Sequence, residues 1–421
     1  MSMPSDLFEL YFELHRRTEP PAIFHRWALT ASLAAWLGRQ VWFPFGSGRI
    51  FPNQYCMFVG DPGSRKSTAI KAAVGLIRKA GYSTLAPKKS GKEKFLDDLM
   101  RGMDSEDSEG EVDIDKFSVL DTADSAAREC FIAADEFNVF LGHGNLEFLE
   151  ILGDMWDWDD EEAPWKYRLK TTKSVKIWQP TINILGGNTP TGFTECFPAA
   201  SIGQGFMSRL MLIYGESTGK KITIPEAADP EKVMVILKML IEIRQQLHGP
   251  MQISAKAMHA LDMVYKSWPD LEDQRFKHYS TRRFIHLLKL STIYAAARVS
   301  SEITLADVIH ANTVLAYAET QMPKAIGELG KAKNAEATNK VMQALYGAKR
   351  PLTAQDLWPI VRMDLEKITD LSQILSNLSQ ADKIQTVELA GRKHGFLPKQ
   401  KAIGRNVLYV DQTYLKGKEI P

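Results

Sequence analysis

The chain has 421 residues, 44% of them apolar, which is ample for packed cores and excludes a small disulfide-stapled scaffold or a disordered tail. Its 52 Lys and Arg nearly cancel 51 Asp and Glu, so contact with nucleic acid has to come from a local patch rather than from the field of the whole molecule. Cys56, Cys130 and Cys196 are far apart and belong to no paired Cys/His spacing that could hold zinc, a pattern of free thiols in a reducing compartment. Asp6, Glu9 and Glu13 precede the first basic pair, the reverse of a secretory leader. No run approaches the ~18 apolar residues that span a bilayer. The expectation is a soluble, cytoplasmic protein.

Residues 6–45 carry Leu7, Leu10, Tyr11 and Leu14, then Leu29, Leu33, Trp36 and Leu37, at the three-to-four spacing of two helices. The run YCMFVG after Gln54, a Gly/Pro turn and a helical stretch over 67–80 read as buried strand, loop and helix. Further buried strands are expected at 130–134, 181–185 and 210–214, and strands interleaved with helices argue for a mostly parallel α/β sheet. Seven carboxylates and no basic residue between Asp104 and Asp115 predict a solvated loop. Helical periodicity returns over 255–330. The last 85 or so residues predict helices near 339–346, after Thr353 as a cap, and over 370–380. Strands at 384–389 and 406–410 would flank a basic, Gly-containing loop, and three helices with a hairpin suggest a winged helix. The expected divisions are an N-terminal helical segment (1–49), a core (50–220), a helical lid (221–334) and the winged-helix region (335–421).

The segment Gly60, Asp61, Pro62, Gly63, Ser64, Arg65, Lys66, Ser67, Thr68 follows an apolar strand and opens a helix, the context of a phosphate-binding loop. Backbone N–H groups and the helix N-terminus offer positive potential to phosphate. Lys66 would reach the β- and γ-phosphates and the Ser67 hydroxyl would hold Mg²⁺. Arg65 stands where the strict pattern has glycine. Some 70 residues on, an apolar strand ends in Asp135 and Glu136, which could sit beside the metal and polarise an attacking water, respectively. Residues 180–190 form a strand emptying into Gly-Gly-Asn, so Asn188 either meets a γ-phosphate or is simply a turn residue. Arg209 precedes another apolar strand and is either an arginine finger or half of a surface ion pair.

This order of motifs resembles the AAA+ ATPases. It is similar to the core of the mini-chromosome-maintenance helicases and to phage and prophage replication ATPases whose loop reads Gly-x-Pro-Gly-x-x-Lys-Ser and whose later segment reads Gly-Phe-x-Ser-Arg. The match covers about 51–318. It implies that Lys66 and Ser67 form the Walker A pair, Asp135 and Glu136 Walker B, Asn188 sensor 1, Arg209 the arginine finger and Arg282 the sensor 2 arginine, with Arg283 adjoining it. Residues 165–178 carry Lys166, Arg168, Lys170, Lys173 and Lys176 with no acid, and their alternation predicts a hairpin. In the helicases it resembles, such a hairpin tracks the DNA backbone inside a central channel, and basic residues there neutralise phosphates without reading sequence. Six acids from Asp154 to Glu162 are an alternative partner for those cations. Lys383, Arg392, Lys393, Lys399, Lys401 and Arg405 could give the winged helix a grip on DNA, or that region could dock protein.

The resemblance implies an ATP- and Mg²⁺-dependent DNA helicase or translocase of phage-type replication. It would form a homo-hexameric ring on single-stranded DNA, in a bacterial host cell if phage-encoded, with a primase or other replication protein as a possible companion. An ATP-gated helicase loader or replication initiator is the rival, and a small-molecule kinase is a third reading, since phosphate-binding loops also transfer phosphate to acceptors.

Overall fold

Four parallel strands lie at the centre of the larger part of the molecule, in the order Glu129–Ala134, Thr181–Asn188, Tyr55–Val59 and Leu210–Tyr214. Their near-continuous apolar runs follow from helices covering both faces, so that Tyr55–Val59 and all eight residues of Thr181–Asn188 are buried. Leu85 bridges Phe131 in parallel and extends the sheet at the acid-strand edge. Two glycines inside Thr181–Asn188 permit close approach: a Cβ on Gly187 would lie 2.5 Å from the Asp135 carbonyl oxygen, and one on Gly186 would lie 2.8 Å from Met57 Cε. The fold is therefore mixed α/β with a parallel sheet.

The computed structural model describes residues 6–103, 127–142, 144–168, 174–197, 205–271, 273–327, 335–348, 350–365, 367–380, 383–389, 393–399 and 409–411. The expected acidic loop at 104–115 lies outside them. The chain divides into two units, Met1–Leu329 with Val407–Pro421, and Gly330–Asn406.

In the larger unit the expected N-terminal helices are Leu7–His15 and Ala22–Leu37. Every residue of Ala22–Leu37 after Ala22 is buried, and the helix packs on Lys66–Lys79, the helix that follows the loop. The N-terminal helices, the sheet and the later helices share one continuous hydrophobic core running from Leu7 to Ile326. Helices Lys277–Ala297 and Leu305–Ile326 pack side by side around a buried ion pair, Arg283 Nε to Glu319 Oε1 at 2.6 Å. Arg283 also donates to Asn312 Oδ1 at 2.9 Å and lies over the Trp268 ring at 3.6 Å.

The smaller unit consists of helices Ala335–Gly347, Ala354–Val361 and Ile368–Gln380 on a three-stranded antiparallel sheet, with Lys393–Pro398 between Leu352–Thr353 and Ile384–Leu389. Thr353 caps its helix as expected, in a reciprocal capping box with Asp356. The second strand of the hairpin is not the expected 406–410. Lys393–Pro398 pairs with Ile384–Leu389 instead, with Pro398 at the end of the strand. Residues 406–408 lie outside the described residues, and Tyr409–Asp411 belong to the larger unit. There the Tyr409 carbonyl accepts from Asn312 Nδ2 at 3.2 Å, and Asp411 N–H donates to Thr313 Oγ1 at 2.9 Å. Among the described residues no helix is long and apolar enough to cross a membrane.

Candidate functional site

The loop 60–66 leaves the C-terminal end of strand Tyr55–Val59 and enters helix Lys66–Lys79. An α-helix leaves its first N–H groups without intrahelical partners, so the first turn at Lys66, Ser67 and Thr68 presents donors where the loop curves round. Arg65, in the position expected of glycine, has the left-handed backbone that glycine takes freely, at φ 64° and ψ 25°. For an L-residue that conformation costs ~1–2 kcal/mol. The Arg65 side chain is ion-paired with Glu19.

Lys66 is 9% exposed and turned back onto the loop, donating to the Gly60 carbonyl at 2.7 Å, the Asp61 carbonyl at 3.1 Å and Ser64 Oγ at 3.1 Å. No carboxylate lies within ion-pair distance of it among the described residues. Burial lowers its pKa, against the raising pull of Asp61 and Glu136. A buried ammonium held by neutral oxygens, beside first-turn helix N–H groups, is a donor set that suits a polyphosphate.

The acids and Asn188 come to the same end of the sheet. The strand register pairs Val59 with Asn188 and Ala134 with Gly186, so Gly60, Asn188 and Asp135 leave three adjacent parallel strands together. Gly60 N–H donates to the Asn188 carbonyl at 3.4 Å. Asp135 is ion-paired with Lys71 of the loop helix at 3.0 Å, with the Lys71 side chain 70% exposed. Such exposed pairs contribute under ~1 kcal/mol and yield easily to a stronger partner. Glu136 is exposed. Ser67 and Asp135 are hard oxygen donors of the kind Mg²⁺ takes, and Mg²⁺ is commonly held by one or two carboxylates plus substrate phosphates. No cluster of three His, Cys, Asp or Glu able to hold a metal alone occurs among the described residues. The Asn188 side chain faces inward: it is 3% exposed, with Nδ2 3.7 Å from Met57 Sδ.

Arg209 and Arg282 come together elsewhere, at the opposite end of the sheet. Leu210 pairs with Tyr55, so Arg209 lies level with the start of the loop strand, and at ~3.3 Å per residue it is ~20 Å from Gly60. Its Nη1 donates to the Gly205 carbonyl at 2.9 Å, its Nη2 is 3.6 Å from Asp157 Oδ1, and its Nε is buried without a partner. Arg282 Nη1 lies 3.1 Å from the other Asp157 oxygen. The adjacent Arg283 is committed to Glu319 and Asn312, so Arg282 is the exposed member of the two.

Sequence reasoning missed Asp157, one acid among six, and Lys289, hidden in the run LLKL. Lys289 is 1% exposed, donates to the Phe51 carbonyl at 2.9 Å and Asn53 Oδ1 at 2.5 Å, and has its pKa lowered by burial to about 7. His286, on the same helix, lies 3.2 Å through Nε2 from the Ser208 carbonyl. The helix bearing Arg282 is thus fastened directly to the segment bearing Arg209.

The basic hairpin pairs Trp165–Arg168 with Ser174–Ile177 in antiparallel register. Trp165, Val175 and Ile177 face the core, and Lys166, Arg168 and Lys176 are exposed. Lys170 and Lys173 lie outside the described residues. The upstream acids find partners other than these three cations: Asp154 accepts from Trp165 Nε1 at 2.7 Å, Asp157 takes the two arginines, and Asp159 and Glu161 bind Arg49. No ion pair involves Lys166, Arg168 or Lys176 among the described residues. No protein-family model matches the chain, and no curated protein is significantly similar to it.

Proposed function

We propose that the protein is a ring-forming ATPase of the AAA+ type that uses ATP hydrolysis to move on DNA, as a helicase or translocase. The observation that carries the ATPase reading is the convergence of the loop, the Asp135–Glu136 pair and Asn188 at the ends of three adjacent parallel strands, with Lys66 buried and, among the described residues, without a carboxylate partner. Chain order reverses across the loop strand, with the acid strand to one side and the arginine strand to the other, and ligands of open α/β sheets bind at such a switch point.

In this reading Lys66 and the first-turn N–H groups bind the β- and γ-phosphates, while Ser67 and Asp135 hold Mg²⁺. The ion, when bound, neutralises charge developing on the phosphate oxygens. Glu136, exposed at the strand end, orients the attacking water and accepts its proton. Arg209 and Arg282 are too far from their own loop to reach its phosphates, which supports delivery to the nucleotide of a neighbouring subunit. A homo-hexamer is the ring this implies by resemblance. Lys166, Arg168 and Lys176, exposed and without an ion pair among the described residues, support sequence-independent contact with DNA phosphates. The smaller unit, with helices in the order first helix, short strand, two helices and hairpin, supports the winged-helix reading.

Equilibrium binding of a fluorescent ATP analogue, with steady-state phosphate release, tests the site. Lys66→Ala is expected to lose binding, and Glu136→Gln to keep binding while hydrolysis falls ~10²-fold or more. Normal turnover by Glu136→Gln would remove the water-activating role. Strand displacement of a forked duplex without any partner protein separates a motor from a loader.

A further inference from the structure

The ion pair between Arg65 and Glu19 links the loop to two other segments. Glu19 precedes helix Ala22–Leu37, and its side chain is 15% exposed against 52% for Arg65. Glu19 is itself held: its Oε1 accepts from the Ile222 N–H at 2.8 Å, and its carbonyl accepts from Thr218 Oγ1 at 2.8 Å. The Ile222 N–H and the Arg65 guanidinium keep its carboxyl below the usual carboxylate range, so the pair is charged at neutral pH. One residue of the loop, in a backbone conformation unfavourable for a side chain, is thus gripped by a carboxylate fixed from outside the loop.

The conformation at residue 65 decides where the next N–H groups point. Glycine would hold it at no steric cost, whereas arginine needs an external anchor. We propose that Glu19 is a positioning residue for the phosphate loop: by holding the Arg65 side chain it keeps residue 65 left-handed, and so sets the affinity of the loop for nucleotide phosphates. Glu19 touches no phosphate in this scheme and acts only through Arg65. The inference rests on the phosphate-loop reading of 60–67.

The test compares Glu19→Gln in two backgrounds, the natural Arg65 and Arg65→Gly, by titration with a fluorescent ATP analogue and by KM and kcat, with Lys66→Ala as a control. With arginine at 65, Glu19→Gln is expected to weaken binding and raise KM about five-fold, equivalent to ~1 kcal/mol, with kcat little changed. With glycine at 65 the same substitution should alter neither. An equal loss in both backgrounds, or no loss with arginine, overturns the proposal. Should Glu19→Gln fail to fold, Glu19→Asp, which draws the carboxylate back from Arg65, replaces it with the same expected contrast. Absence of nucleotide binding by the natural protein would instead overturn the phosphate-loop reading. Binding that needs Lys66 but ignores residue 19 overturns the positioning role alone.

Discussion

The two ends of the central sheet are built from opposite materials. At the C-terminal end of the strands, backbone N–H groups and one lysine face two carboxylates and an asparagine, and Lys66 rests on neutral oxygens of its own loop. At the N-terminal end, Arg209 and Arg282 share a single carboxylate, Asp157, with the buried Lys289 beneath them. At the first end the lysine rests on neutral oxygens while Asp135 pairs with Lys71, and at the second, two arginines share one carboxylate. Since a strand's length separates them, one molecule cannot close both ends on the same phosphates. In the proposed ring two molecules would stack end against end, and the difference between the ends would be the division of one active site between neighbours.

Three variants sharpen that contrast. Arg209→Ala should have the largest effect, a fall of ~10³-fold or more in kcat, because an arginine delivered to the transferring phosphate acts mainly in the transition state. Nucleotide binding should stay within about two-fold, and a comparable loss of binding would place Arg209 in ground-state phosphate holding. A smaller effect is expected on DNA. Replacing Arg168, Lys170, Lys173 and Lys176 by Ala should abolish stimulation of the ATPase by single-stranded DNA while basal turnover persists. It should also flatten the salt dependence of DNA binding by up to ~0.7 in log–log slope per lost contact. Unaltered stimulation would move the DNA-engaging surface away from the hairpin.

The smallest effect concerns Lys289. Burial lowers its pKa from 10.5 to about 7, so between these values the unfolded chain binds a proton that the folded chain does not. Stability should therefore rise with pH through this window, relative to Lys289→Met, by at most ~1.4 kcal/mol per pH unit. Below about pH 7 the full penalty of burying the charge remains. Urea midpoints across that window measure the slope, and a decline with pH would mean that Asp157 holds Lys289 charged.

Much of the sheet was legible because strands covered on both faces must be continuously apolar, as YCMFV and LMLIY are. The loop and Asp135–Glu136 followed because their chemistry sits at the ends of such runs. Side-chain direction was not legible. The inward turn of Asn188 depends on Met57, distant in sequence. Arg282 and Arg283 are indistinguishable as letters, yet the ~100° between successive helix positions puts one on the surface and the other against Glu319. Asp157 was hidden among like charges, since its partners lie far along the chain. Lys393–Pro398 escaped notice because Lys, Gly and Pro lower strand propensity, and pairing with a strand on each side overrode it.

Mixing Lys66→Ala with Arg209→Ala protein tests the division of the active site most directly. Each variant alone should be inactive. In mixed assemblies, with subunit exchange verified by labelling, some interfaces combine an intact loop with an intact arginine. Recovery of ATPase activity to a fraction of the natural rate, rising and falling with the mixing ratio, is the predicted result. Verified mixed assemblies that stay as inactive as either parent would contradict the account and leave Arg209 as a structural partner of Asp157.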